Sequence, residues 1–282
     1  MSFKAVKLLD QFIFLLIILA FLFTIIFPFY WIMLSSFTPK YELFTVPPRY
    51  WFSTFTLENY QILAKSIPLF RYFINSLLFA AGSSCVSVAV AFLASYALAR
   101  LQFRGANLIF IAFVMSIALP QVGGLVPLFE VFKTMNLVNT YHGLVILMSS
   151  LLLPFTIWIL VPFLRQIPYE IEEAAIIDGA RMPQLFWFVV LPIMRPALAT
   201  MLIINFIIAW NELVYPLVFA TSGMNKTLSV GLVELAVQPT AGGGRPWDLL
   251  SALSMVMIVP ILLLVLLFQR MIVSGLTRGA VK

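Results

Sequence analysis

Long apolar runs constrain this sequence more than any other feature. They cover residues 12–34, 73–99, 108–128, 143–163, 193–220 and 249–268, parted by polar or Pro- and Gly-rich breaks. A bilayer core about 30 Å thick takes roughly 20 mostly apolar residues per helical span, and each run reaches that length. Soluble domains are roughly half apolar and a quarter charged, whereas this chain of 282 residues is 62% hydrophobic and 10% charged, with a mean hydropathy of +1.06. Lipid is its solvent. The expected class is an all-α membrane protein with six transmembrane helices; the period-two alternation of an outer-membrane barrel is absent.

Lys4 and Lys7 precede a first run too long for the apolar segment of a signal peptide, and no small-x-small cleavage site comes after it. It reads as an uncleaved span, kinked at Pro28. Six spans place both termini on one side. That side carries Lys4, Lys7, Arg100, Arg104, Arg165, Arg181, Arg195, Arg270, Arg278 and Lys282. The other carries Lys40, Arg49, Lys65, Arg71, Lys133, Lys226 and Arg245. The excess predicts cytoplasmic termini. It also accounts for the net charge of +6 without a nucleic-acid partner, since no basic run has interleaved stacking aromatics. Cys85 is the single cysteine and cannot pair within the chain.

Catalytic constellations are missing from the sequence. His142 is the only histidine, with no second ligand set for zinc. "GMNKT" at residues 223–227 resembles a phosphate-binding loop but lacks its second glycine. No cofactor or metal is expected, and any ATP hydrolysis belongs to a separate subunit. The clear carboxylate inside a span is Glu212, in "WNELVYP". Pro216 cannot donate to the Glu212 carbonyl, which predicts a kink or free acceptor beside Asn211 and Glu212. At about 1.5 Å per residue from Pro192, Asn205 falls near mid-depth. Pro120 likewise frees the Ser116 carbonyl, ahead of Gln121, Gly123 and Gly124. Two readings stay open for Asn205, Asn211, Glu212 and Gln121: a lined translocation path, or hydrogen bonds between helices.

One stretch departs from this greasy background. Glu170, Glu172, Glu173 and Asp178 cluster in the loop between the fourth and fifth spans. Pro168 suits a first helical turn, the glutamates sit at the positive end of the helix dipole, and Gly179 fits the left-handed position that ends a helix. Pro183 then opens a second helix through Leu185, Phe186, Trp187 and Phe188 to Pro192, where the fifth span is expected to start. The predicted shape is two short helices hinged at Gly179, with small Ala174 and Ala175 allowing close approach: a part able to dock into a cleft and pass force to the membrane. The acidic start is explained by ordinary helix electrostatics.

"EAAIIDG" at residues 173–179, then nine residues, then Val189, Val190, Leu191 and Pro192 resembles the E-A-A-x3-G-x9-I-x-L-P signature of inner-membrane permease subunits of ABC importers, with Val189 for the usual Ile. "FTLENYQIL", "FRYFINSLLFA", "YALARLQFRG", "NLVNTYHGLVI", "AWNELVYPLVF" and "SGLTRGAVK" resemble the carbohydrate branch, subunits similar to the smaller maltose-system permease. Met182 stands where such relatives often carry a capping Ser or Thr.

The resemblance implies a type I ABC importer permease fold in a bacterial or archaeal cell (inner) membrane. It implies an N-terminal helix and external loop (1–71), a permease core of five transmembrane helices (72–272) and a cytoplasmic tail (273–282). Glu172, Glu173, Ala174, Ala175, Asp178, Gly179, Leu191 and Pro192 would belong to the ATPase-coupling segment. The implied partners are a homologous permease subunit, two ABC ATPase subunits, a substrate-binding protein, a sugar and the lipid bilayer. Alternatives are a permease for another solute, such as glycerol phosphate or a polyol, and a self-sufficient channel or carrier using Glu212 as ion site.

Overall fold

A computed structural model of the chain describes residues 3–101, 103–238 and 244–277. The helices are α1 (Phe3–Phe37), α2 (Lys40–Leu43), α3 (Glu58–Ser66), α4 (Leu69–Arg100), α5 (Ala106–Ile117), α6 (Leu125–Thr134), α7 (Tyr141–Arg165), α8 (Tyr169–Ile177), α9 (Met182–Gln184), α10 (Leu191–Trp210), α11 (Val214–Phe219), α12 (Leu228–Val237) and α13 (Trp247–Thr277), with no strand among the described residues. Asp10–Phe37, Leu69–Arg100, Tyr141–Arg165, Met182–Trp210 and Trp247–Gln269 are long and apolar enough to cross a membrane.

The third span differs from the single helix expected over residues 108–128. It is a pair, Ala106–Ile117 and Val122–Thr134, bent by 95°, and six spans result when the pair is counted as one. Pro120 supplies no N–H and disfavours helix in Leu119 before it, so α5 ends there and Gln121–Gly124 forms a 3-10 turn. The Ser116 carbonyl is not left free, because it accepts the Leu119 N–H at 3.2 Å. Pro28, by contrast, lies inside α1 without ending it.

The fifth span is displaced from the expected residues 193–220. It runs from Met182 to Trp210, passing through Pro192 by way of a π turn, Leu185–Val190. Proline cannot donate to the carbonyl four residues back and its ring crowds that carbonyl. The turn ahead of Pro192 widens accordingly, and the Leu191 N–H reaches Phe186 O, five residues away. At the far end α10 stops, and the Glu212 carboxylate restarts the chain as α11 by accepting the Val214 N–H at 2.8 Å and the Tyr215 N–H at 3.2 Å. Pro216 then falls in a first turn, where its missing N–H costs nothing.

The chain forms two compact units, Met1–Leu69 with Gly231–Pro260, and Phe70–Val230 with Ile261–Lys282. In the first, Asn59 is buried and its amide donates to Ser36 O at 3.0 Å and Thr38 O at 2.9 Å, satisfying carbonyls that the end of α1 leaves open. Tyr60 adds a bond to Ser36 Oγ at 3.0 Å. Large apolar side chains of α1, from Phe12 to Phe29, are exposed, as befits a helix solvated by lipid.

The second unit holds the principal core. Val88, Ala91, Phe92 and Leu98 of α4 meet Ile157, Leu160, Val161 and Leu164 of α7, and Met194, Ala197, Leu198 and Met201 of α10, with Leu185 and Val190 of the π turn. Small residues let α4 and α7 approach: a Cβ on Gly82 would stand 3.1 Å from Val145, and Ser149 Oγ donates to Ser83 O at 3.2 Å.

Candidate functional site

The loop between α7 and α10 is built much as the sequence predicts, with one correction. Pro168 precedes α8, and Gly179 ends the turn after it at φ +88°. Gly179 N–H reaches Ile176 O at 2.9 Å and Ala180 N–H reaches Ala175 O at 3.0 Å, the paired bonds of a glycine-terminated helix. The next helix lacks a Ser or Thr cap at Met182. Gln184 compensates: its side-chain oxygen accepts the Arg181 N–H at 2.8 Å. The second helix is not a separate short one, since beyond Gln184 the backbone continues through the π turn into α10.

The acidic residues divide by environment. Glu173, Asp178 and Glu170 are exposed, as are Ala174 and Gly179, while Ala175 is half-buried against the core. Ile176 and Ile177 are 52% and 85% exposed and Met182 is 55% exposed, so the tip of the loop presents apolar side chains beside its carboxylates. Glu172 points inward. Its Oε1 lies 2.6 Å from Arg100 Nε and its Oε2 accepts the Tyr96 hydroxyl at 3.1 Å. Helix-start electrostatics therefore does not describe Glu172, which is an internal ion-pair partner of α4.

Arg100 is a site residue that the sequence alone does not single out. Its Nη2 donates to Ile167 O at 2.8 Å and its guanidinium lies over the Tyr169 ring, 4.4 Å from the centroid. Tyr169 in turn donates to Ala99 O at 3.3 Å. The available signal is modest: Tyr96 and Arg100 are spaced i, i+4 and so share one face of α4, at the end of a span. Leu191 and Pro192 are half-buried at the join of the π turn and α10.

The described candidate path residues have different partners. Asn205 is fully buried and donates to Thr156 Oγ1 at 2.8 Å and Ser87 Oγ at 3.5 Å, which is the interhelical reading of the two left open. Asn211 is exposed and donates to Ile207 O at 2.8 Å. Glu212 holds the start of α11 as above. The Gln121 side chain lies outside the described residues, as does the end of the C-terminal tail from residue 278 onward.

A polar clasp at the opposite end of this unit has no signature in the sequence. The Asn75 amide donates to Met224 O at 2.9 Å and Lys226 O at 2.8 Å, and Ser76 Oγ accepts the Leu228 N–H at 2.8 Å. Asn139, at φ +60°, accepts the Ser222 N–H at 2.9 Å and donates to Thr221 Oγ1 at 2.9 Å. Short polar side chains tolerate that conformation, which explains an Asn where the stretch "NLVNTYHGLVI" meets α7.

Membrane-length helices joined by an exposed, glycine-turned loop define a multi-pass membrane protein. Residues 87–278 match the family described as the binding-protein-dependent transport system inner membrane component, and the chain belongs to that family. It is thus a transport component of ABC importers, not an enzyme. It is 36% identical to the sulfoquinovosyl glycerol transport system permease protein SmoH of Agrobacterium fabrum, over 91% of this chain and 89% of that protein. It is also 36% identical to the trehalose/maltose transport system permease protein MalG of Thermococcus litoralis, over 95% and 96% of the two chains. A crystal structure of a bacterial ABC transporter involved in import of the acidic polysaccharide alginate shares its fold, at a TM-score of 0.83 and 18% identity over 96% of this chain and 98% of that one.

Proposed function

We propose that this permease forms, with a second homologous permease subunit, the path for a sugar or oligosaccharide delivered by a substrate-binding protein, and that two separate ABC ATPase subunits drive it. The sugar assignment is supported by the names of similar proteins, which include permeases for sulfoquinovosyl glycerol, for trehalose and maltose, and for diacetylchitobiose. Both termini are taken as cytoplasmic, on the strength of the basic residues that flank that side.

The coupling assignment rests on one observation above all: a short helix, closed by Gly179, whose tip exposes Ile176, Ile177 and Met182 beside Glu173 and Asp178. Exposed apolar side chains on the side assigned to water mark a protein interface. Glu173, Ala174, Asp178 and Gly179 form the docking face in this reading. Ala175, Leu191 and Pro192 fix the face to the fifth span, and Glu172 fixes it to the second. Asn211 and Glu212 are the path-lining residues this reading keeps, with Asn205 acting behind them as a helix tie.

The test is reconstitution. Uptake should require ATP, both ATPase subunits and the binding protein; transport by the isolated chain would overturn the proposal. A thermal-shift screen of the cognate binding protein decides the substrate. Stabilisation by glycerol phosphate or a polyol, with no response to any sugar, would replace the sugar assignment.

A further inference from the structure

We infer that Arg100 and Glu172 are a positioning pair that makes α8 and the second span, α4, move as one body, so that the coupling loop drives two spans rather than the fifth alone. This rests on the coupling role proposed for that loop. The side chains of Arg100 and Glu172 are only 3% and 9% exposed, and their charged atoms lie 2.6 Å apart.

Burying such a pair costs several kcal/mol per ion, and well-packed apolar residues would often stabilise the fold as well or better. Stability is thus a poor reason for an ion pair here, and direction is a better one. Arg100 holds the Glu172 carboxylate, the Ile167 carbonyl and the Tyr169 ring at once, while Tyr96 and Tyr169 tie α4 to the loop on either side of it. Charge-assisted bonds of fixed geometry resist sliding in every direction.

The joint toward the fifth span is of another kind. Ala175 packs against the apolar core that holds Leu185 and Val190, and apolar packing has no preferred direction. The backbone there turns at Gly179, around whose Cβ position nothing lies within 4 Å. One side of the loop is clamped and the other can slip or pivot.

The experiment uses the complete transporter, with both permeases, the ATPases and the binding protein, in vesicles. Solute imported per ATP hydrolysed is compared for the parent, Tyr96→Phe, the apolar double variant Arg100→Met/Glu172→Leu, and the swap Arg100→Glu/Glu172→Arg. Loss of the clamp should lower import per ATP about fivefold or more in the double variant, with a smaller fall for Tyr96→Phe, which keeps its ring packing, and partial recovery in the swap. A purely structural pair would alter protein level, not this ratio. Parental ratios in both Tyr96→Phe and the double variant would overturn the inference; if the double variant fails to assemble, an unchanged ratio in Tyr96→Phe does so alone. Disulfide trapping of Ile177→Cys, in a Cys85→Ser background with the clamp intact, against a cysteine placed in the ATPase groove separates this from failure of the coupling reading. Trapping with unchanged ratios defeats only the clamp, and no trapping of Ile177→Cys defeats the docking on which it rests.

Discussion

Asn205 Nδ2 stands 2.8 Å from Thr156 Oγ1, and both residues are wholly buried. The bond ties α10 to α7 across the core, with Ser87 of α4 within 3.5 Å of each. Hydrogen bonds between spans average about 0.6 kcal/mol and reach about 1.7 kcal/mol. Asn205→Ala and Thr156→Val should each lower thermal stability in detergent by about that much, and the double variant should lose less than the sum. Strict additivity in the double-mutant cycle would show that the two side chains do not interact.

Gly143 sits where the chain enters α7, its N–H bonded to Thr140 Oγ1 at 3.0 Å. A Cβ there would fall 2.1 Å from Leu137 O and 2.7 Å from Thr140 Oγ1. Gly143→Ala must displace the capping turn, at a cost of about 1–3 kcal/mol. Gly124→Ala, whose Cβ meets nothing within 4 Å, is the control. A melting temperature lowered in the first and not in the second is the expected outcome.

Gly179→Val forces a β-branched residue into φ +88°, where left-handed backbone costs an ordinary residue about 1–2 kcal/mol. The protein should still insert, because α8 and the spans retain their packing. ATP-driven uptake should fall about fivefold or more, and Glu173→Lys, which reverses a charge on the exposed face, should do the same. Parental uptake in both would remove the docking role.

Glu42, at the helix after α1, accepts bonds from Ser53 and, at 2.7 Å, from Thr54, with Arg49 3.8 Å away. The Ser53 hydroxyl first, then Thr54 and Arg49, hold its carboxyl below the usual glutamate range. A depressed folded pKa means the stabilisation is complete at neutral pH and lost as pH falls through that depressed value. Protection from hydrogen exchange across residues 40–54, corrected for the intrinsic exchange rate at each pH, should therefore fall as the pH drops below the usual glutamate range, and Glu42→Gln should show the lower protection already at neutral pH.

The sequence makes some of this readable and hides the rest for physical reasons. Length and apolarity locate the spans, because burial in lipid leaves no other composition possible. Gly179 is readable because a left-handed turn demands it. The displaced boundaries have different causes: at one the backbone accommodates a proline over a whole turn, and at the other a side-chain carboxylate caps a new helix. Pro192 widens a helix that is expected to begin there, and Glu212 restarts one expected to continue. The ion pair is hidden for a different reason. Arg100 and Glu172 are 72 positions apart, and no periodicity within either helix reports a partner that distant.

The π turn at Leu185–Val190 amounts to one residue inserted into the fifth span. An α-helix advances about 100° per residue, so everything before the turn, the loop tip included, is rotated by about that angle relative to an uninterrupted helix. Deleting one residue between Leu185 and Val190 would let the helix close in register. It would also swing Met182 and the exposed isoleucines to a different azimuth around the span, so the direction in which this loop faces is set by a single residue's worth of helical phase.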